Sequence, residues 1–567
     1  MNKYAQIIAA AVKAQWQIEP TVELTRPDPK FGDYATNIAM QLARELHQSP
    51  RQIAETLQQR LTDTAQFSEV TIAGPGFINL RVKATDLMQD LNAGFQGNRP
   101  FGENNDGQGK KVLVEYPSTN MAKPFSVGHL RSANQGWAAR NLMRATGWQV
   151  ITDNHLGDYG SPFGIWVTGF KKFSDEARLE ARGVYELGDI YIKTKAAMKD
   201  EEQAGQHTLA DTAQNWLLKL EAGDPEAVAF SQRFNQISLD HIHQVMQRLG
   251  ISTDYELGEK FFAERGKAAV KRLLEQGLAI QNPDGSVIVD LTEYGIKTPM
   301  LVLKSNGAAL YATTDLATML YRDHEFHVDR VIYCVASEQK FYFEQLFAMA
   351  KKIGLKTEMI HMWYGLIDQI NEDGTREKMS SRKGVVLLED LLNEAERRAR
   401  QNAKAKDISD DDIKKIAVGA IKFSDFAADR RTGMLFNWDT MFSLTGFSGP
   451  YVQYSAVRVN KILADHPLQA DLIDHSYDYD AERAVILKLL DYPSIVRLAA
   501  NNLEPHRLAT YAYELAKTMN RYYEQTSIAT DDVPAGVKQA RLVLLSHVAA
   551  VFSHCLNLLG IAVPHRM

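Results

Sequence analysis

From Lys111 onward, short apolar runs alternate with amphipathic stretches, and this pattern restricts the fold more than any other feature of the chain. KVLVEY at 111–116 is typical of a strand, 127–145 of a helix that stops at Gly147, and WQVIT at 148–152 of a second strand. VIYCVAS and EMIHMWYG predict two further strands, with a helix from Glu338 to Lys352 between them. Strands that alternate with helices predict a Rossmann-type, doubly wound parallel sheet.

The regions on either side of this pattern indicate further domains, as the length of 567 residues also does. Before it, an amphipathic first helix, a helical stretch at Ala35–Leu46 and a strand pair around the Gly74-Pro75-Gly76 turn precede a polar linker, GENNDGQGK. After about Lys404, amphipathic helices dominate. We therefore predict a multidomain α/β protein with three parts: a small N-terminal α+β domain at 1–108, a Rossmann-type domain at 109–403 with a helical insertion at about 170–250, and an all-α bundle at 404–567.

The charge balance argues against general affinity for nucleic acid, since 64 basic and 70 acidic residues give a net charge of −6. Any RNA contact must therefore come from local patches. Cys334 and Cys555 are too few for a disulfide framework or a four-cysteine zinc site, and both lie in apolar patterns typical of a core. With no secretory signal pattern and no apolar run of about 18 residues, these features predict a cytoplasmic protein.

Polar segments follow three of the predicted strands, where open parallel sheets bind their ligands. They are EYPSTNMAKPFSVGHLRS, DNHLGDYGSPFG and SEQK. In the first, Gly128 and His129 stand at a helix start, where free N–H groups favour phosphate, and Lys123 is near. By itself this pattern fits either an anion site or an ordinary helix cap.

The segment REKMSSRKG at 376–384 combines four cationic side chains with two serines and a glycine. Such a segment is either a solvated surface loop or a clamp for a phosphate group. Composition alone does not decide between the two.

The SVGH segment and the later KMSS segment together resemble the paired signature of class I aminoacyl-tRNA synthetases. Five segments, the first of which contains SVGH, resemble the arginyl-tRNA synthetases in particular, and they are spread over most of the chain: TNMAKPFSVGHLRS, NHLGDYGSPFG, YATTDLA, ASEQK and GPYVQYSAVRV. The resemblance implies a Rossmann-type catalytic domain between two domains that contact tRNA. It also implies ATP-dependent ligation of L-arginine to tRNA(Arg) through an arginyl-adenylate, with release of AMP and pyrophosphate.

The resemblance assigns site residues to three groups. An arginine pocket is implied at Glu115, Asn120, Tyr311, Asp315 and Gln339. ATP binding is implied at Ser126, Gly128, His129, Lys378, Met379, Ser380 and Ser381, and catalytic neutralisation of phosphate charge at His129, Lys123, Lys378 and Lys383. Magnesium is expected to arrive with ATP, without a resident metal or zinc site. The two carboxylates suit a cationic substrate, because a guanidinium presents a planar fork of donors.

Two positions depart from the pattern of the resembled family. Ser126 stands where the first signature histidine is usual, and Pro162 replaces a common glutamine in GDYGSPFG. Serine can still form hydrogen bonds but cannot carry the charge of an imidazole. These departures concern phosphate binding and the loop at Pro162, and leave the implied guanidinium ligands unchanged.

The outer domains carry candidate tRNA contacts. Phe77 and Asn79 are either ordinary hairpin residues or an aromatic and an amide that contact an unstacked base. In the helical region, Tyr451, Tyr454, Arg458 and Tyr513 either stack on anticodon bases or belong to the core and surface of the bundle.

Three functional hypotheses are weighed. The first is tRNA arginylation by a monomer without membrane contact whose partners are tRNA(Arg), L-arginine and ATP. The family resemblance further implies that the 2′-hydroxyl is acylated first and that bound tRNA is needed for activation. The second is another class I synthetase, specific for cysteine or glutamate; the two cysteines and the acidic pair disfavour it. The third is a paralogue that binds tRNA or senses arginine without catalysis, which the KMSS segment disfavours.

Overall fold

A computed structural model describes residues 3–121, 125–370, 376–379, 387–403, 407–530 and 532–567. Its residues divide into two compact units. The first comprises residues 1–101, 459–492 and 517–551, and the second comprises 102–458, 493–516 and 552–567.

The first unit begins with four helices and three strands. They are α1 Lys3–Trp16, β1 Tyr34–Thr36, α2 Ile38–Leu46, α3 Pro50–Thr62, β2 Phe67–Ala73, β3 Phe77–Val82 and α4 Ala84–Phe95. The strands form an antiparallel sheet in the order β1-β3-β2, and Gly74 at φ +55° turns the chain between β2 and β3. This confirms the predicted first helix and strand pair.

One boundary in this region was predicted wrongly. Ala35 lies in β1, paired with Asn79 and bridged to Thr25, so the predicted helix starts only at Ile38. Pairing in the sheet outweighs the helix propensity of an alanine next to a helical run.

The elements after α4 alternate between strands and helices at first and then become mainly helical. In chain order they are β4 Lys111–Glu115, α5 Leu130–Ala145, β5 Gln149–Asp153, α6 Ser161–Phe173, α7 Glu176–Arg182, α8 Val184–Gln203, α9 Thr208–Glu221, α10 Pro225–Arg248, α11 Glu259–Glu275, β6 Ile280–Gln281, β7 Val287–Val289, β8 Met300–Leu303, α12 Tyr311–His324, β9 Arg330–Tyr333, α13 Lys340–Lys352, β10 Glu358–His361, β11 Ile367–Ile370, β12 Arg376–Lys378, α14 Leu388–Asn402, α15 Asp410–Asp425, β13 Met434–Phe436, α16 Trp438–Met441, α17 Gly449–Asp465, α18 Arg483–Asn502, α19 His506–Gln525 and α20 Ala535–Leu558.

The central sheet of the second unit has four parallel strands in the order β10-β9-β4-β5. The chain passes from β4 through α5 to β5 on one side, and from β9 through α13 to β10 on the other, so the strand order reverses between β4 and β9. This arrangement confirms the predicted doubly wound fold. It also places the switch point, where such sheets bind ligands, at the carboxyl ends of β4 and β9.

Five helices, α6 to α10, fill the predicted helical insertion. Asp224 caps α10 by accepting a hydrogen bond from the Ala227 amide, and Pro225 follows in the first turn. Trp166 and Phe234 are buried and pack edge to face within this part.

Two small sheets of the second unit were not predicted: the antiparallel sheet β6-β7-β8 and the sheet β12-β11-β13. Their strands have only two to four residues, too few for an alternating pattern to stand out. β13 also lies in the region where only helices were expected, and it pairs in parallel with β11.

The C-terminal region is helical from α17 to α20. Among the described residues, α20 alone is long and apolar enough to cross a bilayer by length and composition, but half of its apolar window is buried, as in the core helix of a bundle. Cys555 on this helix and Cys334 after β9 are both fully buried. Burial raises the pKa of Cys334 to about 12, which fits a core thiol and not a nucleophile.

Candidate active site

A cleft of about 410 Å³ lies at the switch point of the parallel sheet. All five residues of the predicted arginine pocket line it: Glu115, Asn120, Tyr311, Asp315 and Gln339. They come from three separate segments of the chain, which the fold brings to one end of the sheet.

Each of these side chains has a defined structural support. Glu115 ends β4, and Asn120 in the loop beyond it forms a bridge with Gly157. Tyr311 and Asp315 lie one turn apart on α12 and therefore share a face. Gln339 ends a short 3₁₀ turn after β9.

The carboxyl group of Asp315 is held by two neighbours. The hydroxyl of Tyr342 donates a hydrogen bond to Oδ2, and Nε2 of His155 lies 3.9 Å from Oδ1. Burial raises the pKa of Asp315, while His155 and the Tyr342 hydrogen bond favour the charged form. The side chain remains 20% exposed, so it can meet a ligand in the cleft.

Glu259, in the first turn of α11, also lines the cleft and was missed by the sequence analysis. It is 8% exposed, and burial, together with the charges of Asp315 and Asp158, raises its pKa to about 8. A carboxyl group so perturbed in a cleft marks a candidate functional site. In the sequence, an acidic residue at a helix start suggests only a favourable dipole contact, so nothing singled it out.

Glu115, one of the two carboxylates of the predicted arginine pocket, already has a cationic partner within the protein. Its Oε2 lies 2.7 Å from Nη1 of Arg322 on α12, whose Nη2 donates a 2.8 Å hydrogen bond to Asp153. Arg322 is 1% exposed. Burial alone would lower the pKa of Arg322, but Glu115, Tyr333 and Asp153 raise it above its ordinary value. Much of the charge of Glu115 is therefore neutralised inside the protein.

At the predicted anion site before α5, two contacts hold the ring of His129. Nδ1 of His129 accepts a hydrogen bond from the Ser126 amide at 3.1 Å, and its ring stacks on Phe125 with centroids 5.2 Å apart. Because Nδ1 is an acceptor there, the neutral ring carries its proton on Nε2. Gly128 is exposed beside it, and His129 also lines the cleft.

Part of the predicted phosphate site lies outside the described residues: Lys123, Ser380, Ser381 and Lys383. Lys378 ends β12, and the Met379 amide donates to the Ile367 carbonyl at 3.0 Å. Further along the chain, Leu387 bridges Ser126 and the Leu388 amide donates to the Phe125 carbonyl at 3.0 Å. The chain that follows the KMSS segment is thus paired with the SVGH segment.

Pro162, the second departure from the family pattern, lies in the first turn of α6. Proline suits this position, because the first amides of a helix have no partner within the helix.

The candidate tRNA contacts differ in accessibility. In the first unit, Phe77 is 42% exposed and Asn79 only 5% exposed. In the second unit, Tyr451, Tyr454 and Arg458 occupy α17 at helical spacing; Tyr454 is 36% exposed, and Tyr451 packs on Tyr513 with ring centroids 5.4 Å apart.

No cluster of three or more metal-ligating side chains occurs within the described ranges. The carboxyl groups of the cleft are spread over different elements, and Glu115 is already paired with Arg322.

Family models match three regions of the chain. The model described as the class I (R) tRNA synthetase catalytic domain matches residues 96–438, the DALR anticodon binding domain matches 452–567, and the arginyl-tRNA synthetase N-terminal domain matches 2–82.

Full-length relatives and solved structures agree with these matches. An arginine–tRNA ligase of Lactococcus lactis is 35% identical over 99% of both chains, and one of Streptococcus thermophilus is 36% identical over 98% of this chain and 97% of the relative. The arginyl-tRNA synthetase structure of Thermus thermophilus has a TM-score of 0.81 at 24% identity, covering 100% of this chain and 99% of that one. That of Plasmodium falciparum has a TM-score of 0.79 at 23% identity over 100% and 98%; at these identities both structures support the fold alone.

Proposed function

The chain belongs to the arginyl-tRNA synthetase family, and we propose that it ligates L-arginine to tRNA(Arg) with ATP, through an arginyl-adenylate, in the cleft at the switch point. One observation carries this proposal: the acidic and amide side chains of Glu115, Asn120, Asp315 and Gln339 converge there from separate segments. These side chains form a small cleft that is lined by carboxyl groups and lies beside a helix start suited to phosphate.

Arginine recognition rests mainly on Asp315 and Glu259. Both carboxyl groups line the cleft, the Asp315 side chain at 20% exposure and Glu259 at 8%, and neither forms an ion pair with a lysine or arginine among the described residues. A guanidinium or α-ammonium group that enters the cleft supplies the missing positive charge and favours their ionised forms. Asn120, Gln339 and Tyr311 provide neutral partners for the remaining donors of the substrate.

ATP is proposed to bind beside this pocket, at Ser126, Gly128 and His129, with Lys378, Met379, Ser380 and Ser381 from the KMSS segment. The positive end of the α5 dipole favours an anion, and the proton on Nε2 of His129 can be donated to a phosphate oxygen. Lys123, Lys378 and Lys383 would add positive charge, together with the magnesium ion that ATP brings.

The chemistry is a two-step acyl transfer. The arginine carboxylate attacks the α-phosphorus of ATP and pyrophosphate leaves; the 2′-hydroxyl of the terminal ribose of tRNA then attacks the acyl carbon and AMP leaves. Both substrates are held in place by non-covalent contacts, so the protein contributes positioning and neutralisation of phosphate charge.

The outer parts are proposed to bind tRNA. We assign residues 1–108 and 404–567 to tRNA-contacting domains and 109–403 to the catalytic domain. Exposed aromatic side chains support these assignments, namely Phe77 in the first unit and Tyr454 in the second, because aromatic rings stack on unpaired bases. Asn79, Tyr451, Arg458 and Tyr513 complete the proposed contacts, and we propose a cytoplasmic monomer.

Arginine-dependent exchange of labelled pyrophosphate into ATP tests this function. The assay is run with each of the twenty amino acids, with and without bulk tRNA. We expect exchange with arginine alone, and only when tRNA is present. Exchange with a different amino acid would contradict the assigned pocket, and no exchange with any amino acid would favour a non-catalytic paralogue.

A further inference from the structure

A fully buried guanidinium lies two residues after His129 in the first turn of α5. Arg131 is 1% exposed, and its Nε donates a 2.6 Å hydrogen bond to Oδ1 of Asp425 at the end of α15. Asn134 and Gln135, also on α5, donate to Oδ2 of the same carboxylate at 2.8 and 3.0 Å. The Asp425 side chain is 0% exposed, so these hydrogen bonds fix α5 against α15 without competition from water.

The other end of the Arg131 guanidinium contacts two further segments. Nη1 donates to the Gly365 carbonyl at 2.6 Å and to the Thr432 carbonyl at 2.8 Å. Gly365 lies two residues before β11, and Thr432 lies two residues before β13. A Cβ atom on Gly365 would lie 2.8 Å from the Thr432 backbone, so the two segments meet in close contact.

These contacts place Arg131 between both candidate ATP-binding segments. β11 pairs with β13 on one side and with β12, Arg376–Lys378, on the other. β12 leads directly into the KMSS segment, while α5 follows directly from His129. One guanidinium therefore contacts the base of the small sheet whose strand β12 ends at Lys378, and it belongs to the helix that follows His129.

We propose that Arg131 is a positioning residue that sets the spacing between the SVGH helix start and the KMSS strand, and thereby the geometry of the phosphate site. This inference rests on the proposed function, since it assumes that both segments bind ATP. Only arginine suits the role, because its rigid fork reaches a carboxylate and two carbonyl groups at once, whereas a lysine offers a single donor centre. Arg131 acts through its neighbours and does not touch the reacting atoms.

The test compares Arg131→Lys and Asp425→Asn with the wild type in arginine-dependent pyrophosphate exchange at saturating tRNA. We expect the KM for ATP to rise about tenfold or more and kcat to fall, because a shift of roughly 1 Å in reacting groups can cost about 10²-fold. The KM for arginine should stay within about twofold, since the arginine pocket lies on other elements. Partial unfolding alone would not raise the KM for ATP while leaving the KM for arginine unchanged.

A matched control is available in the first unit. Arg541 forms an ion pair with the buried carboxylate of Glu482 at 2.9 Å and donates to the Ser527 carbonyl, so Arg541→Lys also replaces a guanidinium that links a buried carboxylate to a carbonyl group. It should lower the melting temperature while leaving the KM for ATP unchanged. All assays are run well below the melting temperature of each variant. If Arg131→Lys does not fold, Gln135→Met is used instead, because it removes only one of the hydrogen bonds to Asp425. It should raise the KM for ATP by a smaller factor and leave the KM for arginine unchanged.

Two kinds of failure can be told apart. If the wild type exchanges pyrophosphate but the variants keep a normal KM for ATP, or show equal rises in both KM values, the positioning role is wrong and the proposed function stands. If the wild type itself shows no arginine-dependent exchange, the proposed function fails first, and the positioning role falls with it.

Discussion

The carboxylate of Glu115 lies 2.7 Å from the guanidinium of Arg322, a pair that is almost fully enclosed behind the cleft. Arg322 also bonds to Asp153, so two strand-end carboxylates share one buried cation. This relationship separates two acidic residues that the sequence treats alike. Glu115 mainly supports the wall of the cleft, whereas Asp315 faces the space where a substrate would lie.

The first prediction concerns stability. Glu115→Gln should lower the free energy of unfolding by roughly 3 to 5 kcal/mol, because it leaves Arg322 with one charged partner in a buried site. Chemical denaturation monitored by circular dichroism gives this value. Asp315→Asn is the matched control, since it removes a carboxyl group from the same cleft without isolating a buried cation, and it should lower stability by less than Glu115→Gln does. Equal losses in the two variants would contradict the division of roles.

The second prediction follows from the raised pKa of Glu259. This carboxyl group takes up a proton near pH 8 in the folded chain but near pH 4.5 in the unfolded chain. Between these values the folded chain binds more protons, so the stabilisation present at low pH is lost as the pH rises. The free energy of unfolding should therefore fall from pH 5 to pH 8, with a slope of at most about 1.4 kcal/mol per pH unit from this group. In Glu259→Gln that part of the slope should vanish; an unchanged slope would show that Glu259 titrates normally.

The third prediction concerns Lys422 on α15, which is fully buried and donates a 2.9 Å hydrogen bond to the Gly560 carbonyl. Burial lowers its pKa from 10.5 to about 7. Between pH 7 and pH 10.5 the unfolded chain binds more protons than the folded chain. The free energy of unfolding therefore rises with pH across this range, and this gain is absent below about pH 7. The stability difference between wild type and Lys422→Met, measured by denaturant titration from pH 7 to 9, should shift in favour of the wild type. A difference that does not vary with pH would rule out the depressed pKa.

The fourth prediction tests the tRNA surface. Tyr454→Ala should weaken tRNA binding by about 1 to 3 kcal/mol if the ring stacks on a base, without changing the KM for arginine. Filter binding and steady-state charging measure the two effects. Tyr523→Ala removes a ring of similar exposure, 37%, outside the proposed contacts and serves as the control. Equal affinity losses for both variants would indicate a general effect and not a base contact.

Periodicity and composition were sufficient to predict the larger elements of the fold. The strands β4, β5, β9 and β10 were found because buried parallel strands are continuous apolar runs, and the helices between them because their apolar faces recur at helical spacing. Strands of two to four residues, such as β6 and β13, carry too few positions for a pattern. Their pairing depends on partners far away in the chain.

The site was predictable only where a motif marks it. The residues that line the cleft from motif segments, such as Asn120 and Gln339, could be named from the family resemblance. Glu259, His155 and Tyr342 reach the same cleft through tertiary folding, and no local spacing marks them. The pairing of Glu115 with Arg322 was likewise invisible, because it joins a strand end to a helix more than 200 residues later, and only the three-dimensional structure reveals which charges are already neutralised.

The central claim is that Asp315 recognises the guanidinium group of arginine, and citrulline, whose side chain is uncharged but has nearly the same shape, tests it most directly. The measurement is the ratio of kcat/KM for arginine to that for citrulline in tRNA charging, for the wild type and for Asp315→Asn. Loss of a buried charged partner worth about 2 to 5 kcal/mol predicts that this ratio falls by about 30-fold or more in the variant. A ratio that is the same in both proteins would contradict the account.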